Sequence, residues 1–386
     1  MTVDFKPSTE AELADYAARG GKFEIVGSGT KRNVGRPLQA ETLVEMSAFN
    51  GISLYEPEEL VLAAGAGTAL SEIETTLAKN HQQLAFEPPD YSRLLGVKGK
   101  GTLGGLMACG FSGPRRIKAG AARDHVLGIA GVSGRGEIFK AGGRVVKNVT
   151  GFDLSKLVVG SYGTLAALTS ITVKVLPAAE TQETVVFSGL NDAKAVQAMS
   201  LAMQSACDVS GAAHLPGTPA QTLFRLEGIR PSVVYRRQRL ASHLKVFGAA
   251  DHLDERESLA QWKAIRDVDP LSNDDEHFVW KLSLPPSKAA ETVARISGQL
   301  DVEYFYDWAG GLVWLGVPRS NQAYAYIIRS CIEDGHATLV RAEEEVRERI
   351  EVFQPQGPAL AALTKRVKAA FDPAGVFNHG RMYRDI

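Results

Sequence analysis

Cysteine is scarce in this chain. Cys109, Cys207 and Cys331 are spread through 386 positions, with no CxxC pair, no metal-ligand spacing and no even set for a disulfide framework. A reducing cytoplasm is the expected compartment. Charge of either sign is not in excess: 43 Lys and Arg stand against 44 Asp and Glu, a formal net charge of -1. That balance argues against nucleic acid as a partner. No apolar run reaches the roughly 18 residues of a spanning helix. The opening stretch, Met1 to Pro7, lacks the basic start and apolar core of a signal peptide. Direct membrane insertion is therefore not expected. The eight histidines show no ligand-like pairing, and no GxxxxGK[ST] loop occurs. No metal site is expected.

What remains is globular in texture: 45% hydrophobic, 23% charged and 8% aromatic residues. The length suits two domains. Glycine is the anomaly. Of 38 glycines, 17 fall in the 68 positions from Gly96 to Gly163. Glycine loses the most backbone entropy on folding, so such density suits a chain that must turn sharply or press against a ligand. The functional site is expected there.

Local pattern gives a coarse layout. Ser8-Thr9 with Glu12 reads as a capped helix start. Phe23 to Val26 reads as a strand running into a glycine loop. A hairpin is expected around Gly134-Arg135-Gly136, a helix N-cap at Asp153, and a long strand from Thr164 to Leu176 closed by Pro177. Beyond Pro177 glycine thins out, and two successive groups each read β-α-β-β-α: residues 184–246, then 277–334. The pattern suggests an internal duplication of α+β type.

Three glycine elements could carry chemistry. Gly27-Ser28-Gly29-Thr30-Lys31 can aim main-chain N–H groups at one anion, such as a diphosphate, with Lys31 and Arg32 adding charge. It lacks the third glycine of a Rossmann fingerprint, because position 32 is Arg32. Read alone, it is equally a surface turn. The run Gly101 to Gly113 offers small residues and main-chain amides to a flat heteroatom-rich ring, or close helix packing through Gly104 and Ala108. In Gly143 to Asp153, Lys147 and Asn148 lie between apolar runs and need partners, within an internal network or at a ligand.

In this order the elements resemble the FAD-binding domain of the vanillyl-alcohol oxidase / p-cresol methylhydroxylase flavoprotein family. More narrowly, they resemble the E-type FAD-binding subunits of bacterial glycolate oxidase (glycolate dehydrogenase). The carrying motifs are Gly27 to Asn33, Pro88-Pro89-Asp90, Gly101 to Gly105, Ala122 to Gly128, Gly142 to Asn148, Thr150 to Asp153, Gly160 to Thr164, and the tail Phe371 to Asn378. The resemblance implies an α+β fold: a two-subdomain FAD-binding domain of the p-cresol methylhydroxylase type over 1–177, an α+β cap domain over 178–345, and a C-terminal segment over 346–386 returning to the FAD domain.

It also implies site residues. Gly27, Ser28, Gly29, Thr30, Lys31 and Asn33 belong to the diphosphate loop. Pro88, Pro89, Asp90, Gly101, Thr102, Leu103, Gly104, Gly105, Ala108, Cys109, Gly110, Ser112 and Gly113 surround the ribityl chain and isoalloxazine. Arg123 and Asp124 fall near the adenine half or the subdomain core. Gly160, Gly163, Thr164 and Leu165 complete the pocket, and Asn378 ties in the tail.

Three departures from the family pattern matter. The diphosphate loop has no histidine, so non-covalent FAD is expected. The late histidine- and glutamate-bearing metal motif of the relatives that oxidise 2-hydroxy acids is absent. His379 stands where the family's end motif has proline, either approaching the flavin or facing solvent.

The implied function is that of a FAD-binding subunit in a complex that oxidises glycolate to glyoxylate. Its partners would be a larger FAD-binding subunit and an iron–sulfur subunit taking the electrons, with any membrane contact made through them. The alternatives are a stand-alone 2-hydroxy-acid dehydrogenase, a peroxide-producing oxidase, and a flavin-fold subunit without catalysis of its own. No catalytic residue can be assigned: Arg341, Tyr306, Trp308 and His379 are conceivable, but exposed charge accounts better for Arg341, core packing for the two aromatics and a solvent-facing position for His379. The basic run Arg115, Arg116, Lys118 and Arg123 suits an acidic partner, the diphosphate, or plain solvent.

Overall fold

The computed structural model describes residues 5–144, 152–272 and 276–386. Lys147 and Asn148 lie outside them. The chain divides into two compact units. The first comprises Met1–Ser112, Ala121–Ala178 and Glu351–Ile386; the second comprises Gly113–Gly120 and Ala179–Ile350.

The first unit begins with the helix Glu10–Ala18, where the Thr9 hydroxyl accepts the Glu12 N–H and the Glu12 carboxylate accepts the Ser8 N–H. This reciprocal capping satisfies donors that the first helical turn leaves unpaired. Leu13, Ala14 and Ala17 bury the helix against Phe23, Val44, Val132 and Phe377. Strand β1 (Phe23–Val26) runs parallel to β2 (Thr42–Glu45). Phe377 from the C-terminal tail bridges Phe23, so the tail extends this small sheet.

Next come β3 (Ile52–Glu56), β4 (Val61–Gly65), the short β5 (Gln82–Gln83), β6 (Val126–Ser133), β7 (Ile138–Gly142), β8 (Ala166–Lys174) and β9 (Leu176–Pro177). Five of them form an antiparallel sheet in the order β3-β4-β8-β6-β7, while β5 pairs with β9. The β6–β7 hairpin turns at Gly134 to Gly136, and Asp153 caps the helix Leu154–Val158 by accepting the Lys156 N–H, both as the sequence suggests.

The tail is locked by a buried lysine. Lys368 Nζ donates to Thr164 O at 2.6 Å, Asp372 Oδ2 at 2.7 Å and Phe377 O at 3.2 Å. Asp372 in turn accepts the N–H groups of Val376 and Phe377. Each charge is satisfied in place, as burial requires.

The second unit is built on one eight-stranded sheet. Its strands are β10 (Thr181–Ser188), β11 (Gly211–Leu215), β12 (Gln221–Gly228), β13 (Ala250–Leu253), β14 (His277–Ser283), β15 (Glu303–Asp307), β16 (Leu312–Pro318) and β17 (His336–Arg341). The order β13-β10-β12-β11-β15-β16-β14-β17 is two four-stranded copies joined edge to edge. Each expected β-α-β-β-α group is present and each gains a fourth strand, β13 or β17. The first copy also adds the helix Glu255–Arg266. The sequence-based reading missed β13 because three of its four residues are exposed and its pattern is short and polar.

The segment Gly113–Gly120 clusters with the second unit, which corrects the expectation that Gly113 sits with the flavin residues. Specific contacts hold it. Trp308 Nε1 donates to Gly113 O at 3.1 Å, Arg115 pairs with Glu227 at 2.9 Å, and Lys118 pairs with Asp208.

Candidate functional site

The first unit holds a cleft of about 500 Å³ running from the Gly27 loop to the tail. A second space of about 420 Å³ shares Ile25, Gly27, Thr102, Gly105, Ala108 and Asn378 with it. The helix Leu103–Cys109 forms one wall. The Thr102 hydroxyl accepts the Gly105 N–H at its start, and Gly110, at φ 65, ends it in the left-handed conformation that glycine adopts without strain.

Close approach explains the small residues. A side chain on Gly27 would run into Thr102, and one on Gly104 would meet Ala66 at 2.8 Å. The glycines let the loop after β1, the helix and the strand end at Ala66 converge on one space. Among the described residues, no protein acceptor engages the main-chain N–H groups of Ser28, Gly29, Thr30 and Lys31. A run of uncommitted donors beside a cationic side chain is an anion cradle.

Charge in the cleft is layered. Glu24 accepts Arg32 at 2.6 Å and Arg381 at 2.8 Å. Burial pushes the Glu24 carboxyl upward, but the two guanidiniums outweigh it and hold it below its ordinary value. Arg381 also donates to the main-chain oxygens of Arg32 and Arg36 and so staples the loop. Lys31 lines the cleft, and burial lowers its pKa. Burial raises the neighbouring Cys109 thiol to about 11, against the pull of Lys31 and Arg381, so the thiol stays protonated at neutral pH. Burial likewise keeps the Tyr162 phenol protonated.

Asn378 stitches three segments together. Its Oδ1 accepts the Ile25 N–H at 2.8 Å, and its Nδ2 donates to Tyr162 O at 2.8 Å. Tyr162 N in turn donates to Ala108 O at 2.7 Å. The Asn378 amide thus supports the walls and is already engaged.

The structure brings Gly27, Ser28, Gly29, Thr30, Lys31, Thr102, Gly104, Gly105, Ala108, Cys109, Gly163 and Asn378 to these two spaces. Others stand apart from the lining. Asn33 is exposed. Pro88, Pro89 and Leu103 are buried in packing, as is Leu165. Asp90 caps a turn by accepting the Ser92 N–H. Gly101 approaches Lys31, while Gly110 abuts Gly160. The Ser112 hydroxyl accepts the Ala122 N–H, and the Thr164 hydroxyl donates to Ser161 O. Arg123 and Asp124 are exposed, with Asp124 closing a helical turn onto Ala121. His379 packs on Gly375 with its Nδ1 buried and unbonded, and lines neither space. Tyr306, fully buried, donates to Asp192, and Arg341 donates to His277 O.

Missed from the sequence were Arg381, Met46, Ala66, Ala166 and Leu168, whereas Tyr162 lies inside the Gly160 to Thr164 motif already expected at the pocket. Only Arg381, close to the end motif, carried a usable signal. Among the described residues there is no cluster of three or more His, Cys, Asp or Glu side chains fit to hold a metal ion, and no helix long and apolar enough to cross a membrane.

Comparison with known proteins adds to this geometry. Residues 3–142 match the family described as FAD binding domain, and residues 347–382 match FAD linked oxidases, C-terminal domain. Glycolate oxidase subunit GlcE of Escherichia coli (strain K12) is 33% identical over 367 residues, spanning 94% of this chain and 93% of that protein. D-lactate dehydrogenase of Archaeoglobus fulgidus is 24% identical over 95% of this chain and 86% of its own length. Glycolate oxidase subunit GlcD of Bacillus subtilis (strain 168) is 31% identical over 50% of this chain and 38% of its own length. Among solved structures, alkyldihydroxyacetonephosphate synthase superposes with a TM-score of 0.67 at 15% identity, covering 96% of this chain and 75% of that one. At that identity the likeness concerns the fold.

Proposed function

The chain belongs to the FAD-linked oxidase family that includes glycolate oxidase subunit GlcE, and from that premise we propose that it is the FAD-binding subunit of an assembly that oxidises glycolate. FAD is its cofactor, and oxidation of 2-hydroxy acids is its chemistry. The observation that carries the reading is the set of uncommitted N–H groups from Ser28 to Lys31, opening on a cleft walled by small residues.

The residues fit the cofactor. The loop Ser28 to Lys31 would hold the diphosphate, with Lys31 adding charge. Gly104, Gly105 and Ala108 offer a flat wall to the ring system, with Met46 and Leu168 as apolar neighbours. When bound, FAD supplies the acceptor for the hydride of a 2-hydroxy acid. The chain binds, orients and shields: Asn378 fixes the walls, while Arg381 and Glu24 hold the loop. Covalent attachment is not proposed, because the loop carries no histidine and the Cys109 thiol is held protonated.

The partners proposed are a larger FAD-binding subunit and an iron–sulfur subunit that receives the electrons. The GlcE and GlcD relatives, both named as glycolate oxidase subunits, support a multi-subunit assembly. A cytoplasmic location, peripheral to a membrane through the partners, goes with this reading.

The test is purification of the chain alone and with co-expressed partners. The chain alone should be yellow and release FAD on acid precipitation. Glycolate-dependent dye reduction should require the partners. Rapid flavin reduction by glycolate in the isolated chain would overturn the subunit reading in favour of a stand-alone dehydrogenase. A colourless chain that cannot be reconstituted would overturn the cofactor assignment.

A further inference from the structure

We infer that residues 96–101 form a second jaw of the cofactor site, a strap that closes on the FAD diphosphate with Lys98 and Lys100. The identity of the ligand rests on the cofactor assignment above. The place of the strap and its uncommitted groups rest on the geometry below.

The strap is Gly96-Val97-Lys98-Gly99-Lys100-Gly101, three glycines and two lysines in six positions, with no carboxylate. Both ends are fixed. The Gly96 N–H donates to Arg93 O and the Val97 N–H to Ser92 O, while Gly101 O accepts the Leu70 N–H. Thr102 then caps the helix Leu103–Cys109, a wall of the cleft. Between these ties the main chain is uncommitted. Among the described residues, no protein acceptor engages the N–H groups of Lys98, Gly99, Lys100 and Gly101. Gly96 and Gly99 hold φ of 62° and 111°, a region where glycine bends the chain without strain.

The strap lies against the anion cradle. A side chain on Gly101 would stand 2.8 Å from Lys31 Nζ, and one on Gly99 would stand 3.7 Å from Thr30 Cγ2. Two runs of uncommitted N–H groups, 28–31 and 98–101, therefore lie side by side, with Lys31, Lys98 and Lys100 among them. Lys98, Gly99 and Lys100 are exposed. Lys100 has Asp90 at 3.8 Å, too long for a hydrogen bond, and both side chains are open to solvent. An exposed pair of this kind contributes little and exchanges readily. Lys98 meets no carboxylate among the described residues.

The chemistry selects the occupant. Successive N–H groups with ammonium groups beside them bind phosphate oxygens. A diphosphate seated on residues 28–31 presents its charge to the neighbouring strap. Exposed lysines on a glycine-rich span reach it without repacking a core residue. With the strap out, the cleft stays accessible; drawn in, the strap covers the charged part of the cofactor and slows its release.

Trypsin reads the strap directly, because it cuts after Lys98 and Lys100. The full chain is stripped of FAD and digested with and without added FAD, and mass spectrometry follows the two cuts. FAD should slow both by about tenfold. Cleavage at Lys22, exposed and outside the cleft lining, should change little. The double variant Lys98→Gln, Lys100→Gln should bind FAD about tenfold more weakly. Its affinity should also respond less than wild type to a rise from about 50 to about 500 mM salt. Lys98→Arg, Lys100→Arg should restore both. The two lysines are exposed, so the melting temperature of the apo chain should not move in either variant. Equal cleavage of the strap with and without FAD overturns the proposal, as does equal protection at Lys22, which marks general stiffening. Unchanged FAD affinity and salt response in the Gln variant overturns it too. A yellow chain with an unprotected strap sinks the strap alone; a chain that takes up no FAD sinks the cofactor assignment with it.

Discussion

The side-chain oxygen of Asn378 accepts the main-chain N–H of Ile25 across 353 positions of sequence. With the Tyr162 contact, this one amide joins β1, the glycine turn beside the helix Leu103–Cys109, and the C-terminal tail. Replacing Asn378 by Ala leaves the Ile25 N–H without its acceptor and removes a residue type that tolerates the observed φ of 42°. The expected loss is about 2 kcal/mol of stability. Thermal unfolding with and without added FAD checks it, and FAD affinity should fall with the stability.

The close approaches in the cleft give a sharper test. Gly27→Val and Gly104→Val each place carbon atoms where Thr102 or Ala66 now stands. The loop or helix must then move away from the space it lines. Both variants should lose FAD during gel filtration, whereas Gly143→Ala, at a glycine with open space around it, should retain FAD.

Lys31 is buried in the cleft, and burial lowers its pKa. If it faces a diphosphate, Lys31→Met should weaken FAD binding by about tenfold. The apo chain should lose no stability, because an unrelieved cation is removed. Equilibrium dialysis and apo-protein melting separate the two effects.

Acid should loosen the second unit through Glu227. Burial raises its carboxyl, but Arg225 and Arg115 reverse the sign and hold it down at about 2, against an ordinary 4.5. A carboxylate depressed in the folded state contributes stability that is fully present above pH 4.5 and lost as pH falls toward 2. Linkage puts that contribution at about 3 kcal/mol. Denaturant midpoints measured across this window should fall for wild type. Glu227→Gln should be less stable at neutral pH and should show a flatter profile.

Much of the cleft was legible because its chemistry is local. The Gly27 loop and the small-residue helix announce themselves by spacing alone, and so do the Thr9 and Asp153 caps. What stayed hidden depends on register or distance. The Glu24–Arg381 pair spans 357 positions, so no window of sequence contains both. Gly113 looked like the end of the flavin-facing run, yet Trp308 and Glu227 draw its segment into the other unit. Pro88, Pro89, Arg123 and Asp124 came from family likeness rather than from local physics, and the cleft lining does not include them.

The seam of the eight-stranded sheet has a consequence for how the duplicated halves depend on each other. At β11 and β15 each copy offers the other a partner for main-chain groups that would otherwise stand bare, with His214 opposite Tyr306. The outward rims left over are β13, which is short and polar, and β17. Severing the halves would uncover two apolar flanks apt to recruit strands from other molecules. Duplication here is mutual protection against self-association, and either copy expressed by itself should clump.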